Sequence, residues 1–135
     1  MLETIHFHTE ERQVLVNLMD EVKEVVHKSG VKEGVCYVYC PHTTAGLVVN
    51  SYMDPNTPKD ILYEVDRLIP TKVDFFHTFD TPSDAAGHVK SSLLGVDLTF
   101  LIHEGELILG HSQGILFAEF DGPRKRQVFV KVMAG

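Results

Sequence analysis

Basic residues are scarce in this chain. Twelve Lys and Arg stand against nineteen Asp and Glu, a formal net charge of −7 with histidine neutral, and the sequence pI is about 5.5. A protein that grips a phosphate backbone carries the opposite surplus, so nucleic acid is not an expected partner. Long apolar runs are missing as well. No window reaches the ~18 consecutive apolar residues of a membrane helix, and MLETIHFHTEE opens with acid and histidine where a secretory leader has a basic and then an apolar stretch. A soluble, cytoplasmic protein with no membrane partner is the expectation. Cysteine is limited to Cys36 and Cys40. On one strand they would lie ~13 Å apart at about 3.3 Å per residue, beyond the roughly 4.4 to 6.8 Å of a disulfide, so they read as reduced core residues. The P-loop, GxGxxG, HExxH, CxxC and GxSxG signatures are all absent.

What the chain does have is enough apolar material for one core. Its 135 residues are 44% hydrophobic, which fits a single domain spanning 1–135. Thr4 to His8 alternate, with Ile5 and Phe7 on one face of a strand and His6 and His8 on the other. Those two histidines could chelate a metal, although a His-x-His pair carries little specificity by itself. Leu15, Leu18, Met19, Val22, Val25 and Val26 repeat at helical spacing, and Gly30 stops that helix after Ser29. Its start has two readings, because Val14 and Val16 also alternate and Asn17 could cap a helix that begins after a second strand. Val35 to Cys40 and Ala45 to Val49 are β-branched and aromatic, hence strands.

Asp54-Pro55 then marks a helix start, with Ile61, Leu62, Val65, Leu68 and Ile69 as its apolar stripe and Pro70 closing it. The segment from Thr71 to Phe79 reads as an irregular loop with one short strand. Thr81-Pro82-Ser83-Asp84 is a capping box, and its helix runs to Leu94 before Gly95. Val96 to Ile102, Glu106 to Leu109, Ile115 to Phe120 and Gln127 to Val132 are strands separated by turns, an expected antiparallel meander. This order of elements predicts an α+β fold with about three helices packed on one side of a mainly antiparallel sheet. Val128 to Met133 is apolar except at Lys131, which points to cover by a partner chain.

Polar residues interrupt this pattern at strand ends. In CPHTTAGLVVN, His42, Thr43 and Thr44 separate two apolar runs where a plain turn would need only Gly, Asn or Asp. One reading has the threonines satisfying loose backbone groups while His42 caps a core edge. The other makes His42 an acid, base or metal ligand on a rigid sheet, with the hydroxyls binding an oxyanion. Asp54 serves as a helix cap, and its neighbours Asn50 and Ser51 leave a further role open. His88 follows Gly87, which no mid-helix position requires and which suggests close approach by a ligand or another backbone. His111, Ser112 and Gln113 lie at another junction of apolar runs. Arg124, Lys125 and Arg126 form a basic cluster that is either a solvated turn or a receptor for a carboxylate or phosphate.

Taken together, PHTTAG, the Asn-to-Asp-Pro segment, GHVKSSLLG and the run from LGHSQGILFAEF through DGPRKR resemble the YjbQ-like family, often labelled secondary thiamine-phosphate synthase. The match covers nearly the whole chain in the right order. The resemblance implies a sandwich or barrel-like fold, a homotrimer, and a polar cleft near subunit boundaries. By position it implies His42, His88, Asp54 and Gln113 as catalytic residues, and Thr43, Thr44, Asn50, Asp121 and Arg124 as contacts for a small phosphorylated or anionic molecule. Two departures stand out: the family's Thr-Trp is His111-Ser112 here, in a chain with no tryptophan, and its glutamate after Asn50 is Ser51. The label implies condensation with release of pyrophosphate, with Asp54 holding magnesium and Arg124 and a threonine near phosphate oxygens. The alternatives are a metal-dependent hydrolase or lyase, with His42, His88 and His111 around zinc, and a non-enzymatic oligomer that binds an anion or metabolite.

Overall fold

The computed structural model describes residues 1–72 and 74–135. Its elements run β1 (Leu2–His8), β2 (Val14–Asn17), α1 (Met19–Ser29), β3 (Gly34–Tyr39), β4 (Ala45–Ser51), α2 (Asn56–Leu68), α3 (Pro82–Leu94), β5 (Asp97–His103), β6 (Glu106–Leu107), β7 (Gln113–Glu119) and β8 (Lys125–Ala134). They form two antiparallel sheets, a five-stranded one in the order β1-β8-β3-β5-β6 and a three-stranded one in the order β2-β7-β4. The fold is α+β with curled antiparallel sheets, as expected.

The two sheets face each other across the main core. Cys36, Val38, Val128, Val130 and Val132 of the large sheet meet Ala45, Leu47, Ile115 and Phe117 of the small one, and Val22, Val25 and Val26 of α1 join them. A second cluster lies on the far side of the small sheet, where Leu15, Leu116, Ala118 and Phe120 pack on Ile61, Leu62 and Val65 of α2 and Leu94 of α3. Strand β7 is thus covered on both faces, which explains its unbroken apolar run. Full burial of a side chain such as Phe117 contributes about 1.5–3 kcal/mol.

Local signals account for most boundaries. The Asn17 side chain accepts the Met19 N–H (2.9 Å), so the reading with a separate strand β2 before α1 is the observed one. Gly30 takes the left-handed conformation (φ 71°) that ends α1. Asp54 Oδ1 accepts the Asn56 N–H at 2.9 Å, and α2 begins one residue later than Pro55. Thr81 Oγ1 accepts from Asp84 N (3.2 Å) to open α3.

Two expectations change. The last four strands are not a meander: β5 and β6 pair, but β7 joins the small sheet and β8 runs between β1 and β3 in the large one. Asp121-Gly122-Pro123 turns the chain from one sheet to the other instead of closing a hairpin. Of the short strand expected between Thr71 and Phe79 there is no trace among the described residues, and Val73 lies outside them. The apolar run of β8 also divides by face. Val128, Val130 and Val132 are buried in the chain's own core, whereas Met133 is 50% exposed on the outer face with Tyr37, Tyr39 and Leu101. No helix among the described residues is long and apolar enough to cross a membrane.

Candidate functional site

Helix α3 approaches β4 closely, and this approach builds the site. A Cβ at position 87 would stand 3.2 Å from Thr44 Cβ and 3.3 Å from its Cγ2. The close neighbour that Gly87 admits is therefore the threonine motif. Farther along, Ser91 Oγ donates to the Thr43 carbonyl at 2.6 Å. The helix is held there from behind by Lys90, 1% exposed, whose ammonium donates to Asp66 and Gln13 at 2.6 Å each. Docked in this way, α3 faces the β3–β4 turn and the start of β8 across a hollow of about 390 Å³. Its lining includes His42, Thr43, Thr44, His77, Asp80, Asp84, His88, Arg124 and Arg126.

One wall of the hollow is a buried ion pair. Glu119 is fully buried, and Arg126 donates to it through Nε (2.9 Å to Oε1) and through Nη2. Thr9 Oγ1 (2.7 Å) and the Asp121 N–H (3.1 Å) donate to the same carboxylate. Burial alone would raise the Glu119 pKa, but these hydrogen bonds and the Arg126 charge outweigh it and hold the carboxyl below its ordinary value. Arg126 Nη2 also donates to Thr44 Oγ1 at 2.9 Å, so this hydroxyl belongs to the wall. Thr43 is the exposed one of the pair.

His42 plays a structural part that limits its chemistry. Strand β3 stops at Tyr39, opposite Phe129, and Pro41 has no N–H to continue the ladder. The imidazole takes over: His42 Nε2 lies 3.0 Å from the Gln127 N–H, which donates to it when the ring is neutral, and 3.1 Å from the Gln127 carbonyl. Burial, followed by the nearby Arg126 charge, lowers the His42 pKa. With Nε2 engaged by backbone, only Nδ1 is left for a ligand.

The opposite wall carries a histidine–carboxylate cluster. His77 Nε2 lies 2.8 Å and His88 Nε2 3.2 Å from the same oxygen, Asp84 Oδ2, and the two rings meet edge to face at 5.1 Å between centroids. Asp84 is 6% exposed. Burial pulls its pKa up, while the His77 hydrogen bond and the His88 charge pull it down and prevail. In a capping box this third helical residue would reach back to the cap N–H; here it turns outward to two imidazoles instead. One donor atom from each of the three side chains lies within 4.8 Å of the others, the one such group among the described residues. Donors about a tetrahedral zinc, with bonds of about 2.0–2.2 Å, stand roughly 3.3 Å apart, so small side-chain shifts would close the three around an ion.

The sequence candidates divide between two places. His42, Thr43, Thr44, His88 and Arg124 meet at the hollow, and Asp121 adjoins it by accepting from Arg124 Nη2 (2.8 Å). Asn50, Asp54, His111 and Gln113 do not. Asn50 pairs with Gly114 and Ser51 with Gln113 at the far end of the β4–β7 ladder. There Gln113 Oε1 accepts the Gly110 N–H (2.7 Å), and His111, Ser112 and Gln113 line a separate shallow depression with Asn17, Tyr52 and Met53. Joint coordination by His42, His88 and His111 is thus ruled out by placement within one chain. His6 and His8 sit on the outer face of β1, where His8 turns to Glu10 at 3.2 Å. Sequence reasoning missed His77, Asp84 and Glu119 as site residues; Arg126 was included in the basic cluster read as a receptor for a carboxylate or phosphate, and the carboxylate it holds is Glu119. The four-residue spacing of Asp84 and His88 on one helical face was a usable signal for one pair; nothing marked His77.

The fold and this cleft define a small two-sheet α+β protein with a histidine–carboxylate site between a helix and a strand turn. The chain belongs to the UPF0047 protein YjbQ-like family, whose sequence model matches residues 3–135. It is 41% identical to a UPF0047 protein of Methanocaldococcus jannaschii over 98% of this chain and 94% of that one. Identity is 38% to the UPF0047 protein YugU of Bacillus subtilis, over 98% and 99%. Among solved structures, an uncharacterized YjbQ/UPF0047 family protein of Clostridium acetobutylicum superposes with a TM-score of 0.92 at 39% identity, covering 97% of this chain and 99% of that one. A protein of unknown function from Sulfolobus solfataricus superposes with a TM-score of 0.94 at 29% identity, covering 100% and 97%.

Proposed function

We propose that the protein is a metal-dependent enzyme of the hydrolase or lyase type, in which His77, Asp84 and His88 hold a divalent ion at the edge of the hollow. The observation that carries this reading is the meeting of two imidazole nitrogens on one buried carboxylate oxygen, at 2.8 and 3.2 Å, beside an open space. Three protein donors with room for a further ligand suit a catalytic site, whereas structural zinc is usually closed by four. The two-nitrogen, one-oxygen set favours zinc, iron or a similar ion over magnesium. An ion so held polarises a bound ligand oxygen or lowers the pKa of a bound water.

The chain's own groups supply the remaining functions. Arg124 and the exposed Thr43 hydroxyl face the hollow as donors to an anionic substrate. His42 offers Nδ1, with the Gln127 backbone fixing its ring. The condensation that releases pyrophosphate would draw on the same hollow, but without Asp54, whose carboxylate accepts the Asn56 N–H at the start of α2. A homotrimer is also proposed; the exposed Phe76 and Phe79, close to the hollow in sequence, and the outer face bearing Tyr37, Tyr39 and Leu101 are surfaces such an assembly could cover. Sedimentation velocity distinguishes one chain from three.

Calorimetric titration of chelator-treated protein with Co²⁺ or Zn²⁺ tests the metal reading. One ion per chain is expected, with affinity reduced at least tenfold in Asp84→Asn and His88→Ala and unchanged in the control His27→Ala, whose imidazole is occupied by Glu106 on another surface. No binding, or full binding by Asp84→Asn, would refute it.

A further inference from the structure

The fixed charges around the hollow are poorly suited to an anion in the absence of a cation. Arg126, 6% exposed, is neutralised by Glu119. Arg124 donates from Nε to the Asp121 carbonyl at 2.7 Å and from Nη2 to the Asp121 carboxylate at 2.8 Å, so its charge is balanced as well. The lining then retains two further carboxylates, Asp80 and Asp84, for which the same lining supplies no further Arg or Lys. Counted over the fixed Asp, Glu and Arg charges alone, the site has an excess of two negative charges. A phosphate group, itself carrying roughly −1.5 to −2 at neutral pH, would meet repulsion on entering. A divalent ion on His77, Asp84 and His88 cancels that excess. The uncommitted edge of the Arg124 guanidinium and the Thr43 hydroxyl then face a space of no net charge.

We propose that this cleft is an ordered, cation-first receptor for a small oxyanion such as a phosphate group, in which the pairing of both arginines with acids makes anion capture conditional on the metal. The proposal rests on the metal reading above and adds a coupling between two ligands. Because coupling free energies are reciprocal, the anion must tighten the metal by the same factor as the metal tightens the anion. Asp80 becomes a specificity residue: it keeps anions out of the metal-free site without itself belonging to the cluster of donors.

The experiment is a closed cycle of titrations on the full chain, using Co²⁺ and inorganic phosphate as probes. Phosphate is titrated into chelator-treated protein and into protein loaded with Co²⁺, and Co²⁺ is titrated with and without phosphate. The expected result is a phosphate affinity at least tenfold higher in the loaded protein, matched by an equal gain for Co²⁺. In Asp80→Asn, phosphate binding to metal-free protein should rise several-fold and the coupling should shrink. Equal phosphate affinity with and without metal overturns the ordered receptor while leaving the metal site intact. So does an absence of phosphate binding to protein shown to hold Co²⁺. An Asp80→Asn variant indistinguishable from the parent in both states overturns the charge account, and failure of Co²⁺ to bind at all removes this proposal together with the metal reading.

Discussion

The two ends of the β4–β7 ladder are built from similar residues and do different things. At one end Ala45 pairs with Glu119, and the buried Thr44, Glu119 and Arg126 are joined across long stretches of sequence, Thr44 to Arg126 and Glu119 to Thr9. At the other, Ser51 pairs with Gln113, and the polar groups are exposed and bonded to near neighbours: Asn50 Oδ1 to the Ser51 N–H (2.7 Å), Asp54 to Asn56, Gln113 to Gly110. A side-chain hydrogen bond to a nearby backbone group settles a turn and leaves little chemistry over. Buried polar groups held by distant elements are expensive to desolvate, and they last only where each is fully partnered. That difference marks the first end as the place where a reactive arrangement can be held rigidly.

The sharpest way to break the contrast is to unpair the buried end. Arg126→Ala should destabilise the fold by about 3–5 kcal/mol, because the Glu119 carboxylate would be left buried without its cation. Asn50→Ala, at the other end, should cost less than about 1 kcal/mol. Urea denaturation of both variants measures the pair. Similar midpoints would mean that the network is no more than a surface arrangement. Glu119→Gln is informative beside them: it keeps the shape of the side chain but turns one accepting oxygen into an NH2 donor and leaves Arg126 as the uncompensated charge.

A milder change separates helix docking from helix stability. Gly87→Ala improves intrinsic helix propensity by about 1 kcal/mol, yet its methyl would stand 3.2 Å from Thr44 Cβ. Overpacking of this kind typically costs about 1–3 kcal/mol, so a net loss of order 1 kcal/mol is expected. Metal affinity should fall with it, because the same contact positions Asp84 and His88. Thermal unfolding and Co²⁺ titration are the two readouts; a stabilised variant with unaltered metal binding would show that α3 does not need this close approach.

How much of this was legible in the sequence follows from the distances involved. The caps, stops and apolar stripes of the helices are local, and the readings of Asn17, Gly30, Thr81 and Gly95 correspond to observed boundaries. The site is not local. Thr44 and Asn50 read as one motif, but six residues of strand at about 3.3 Å each place them ~20 Å apart. Antiparallel register then sends Gln113 with Asn50, away from His42. The turn after Phe120 was visible as Asp121-Gly122-Pro123, but turn chemistry does not say whether the strands on either side pair with each other or join different sheets, and here they join different sheets. Asp84 was visible as a capping acid four residues before His88 on the same helical face. Its second role depends on His77, which comes from a segment without periodicity.

The last contrast concerns His42, whose two possible roles separate by pH. Its folded pKa lies below the ordinary 6.5 because of burial and the Arg126 charge, so near and below that value the unfolded chain binds more protons than the folded one. Stability attached to the neutral ring is complete above pH 6.5 and is lost as pH falls from there through the folded value. His42→Gln removes the titration while keeping an acceptor for the Gln127 N–H, and should flatten this part of the acid limb with little change at pH 8. His42→Ala leaves that N–H without its partner and should lower stability at every pH, by about 1–3 kcal/mol. If both variants retain the parent's slope below pH 6.5, the ring is not held neutral by its surroundings, and His42 would then be free to carry charge at the hollow.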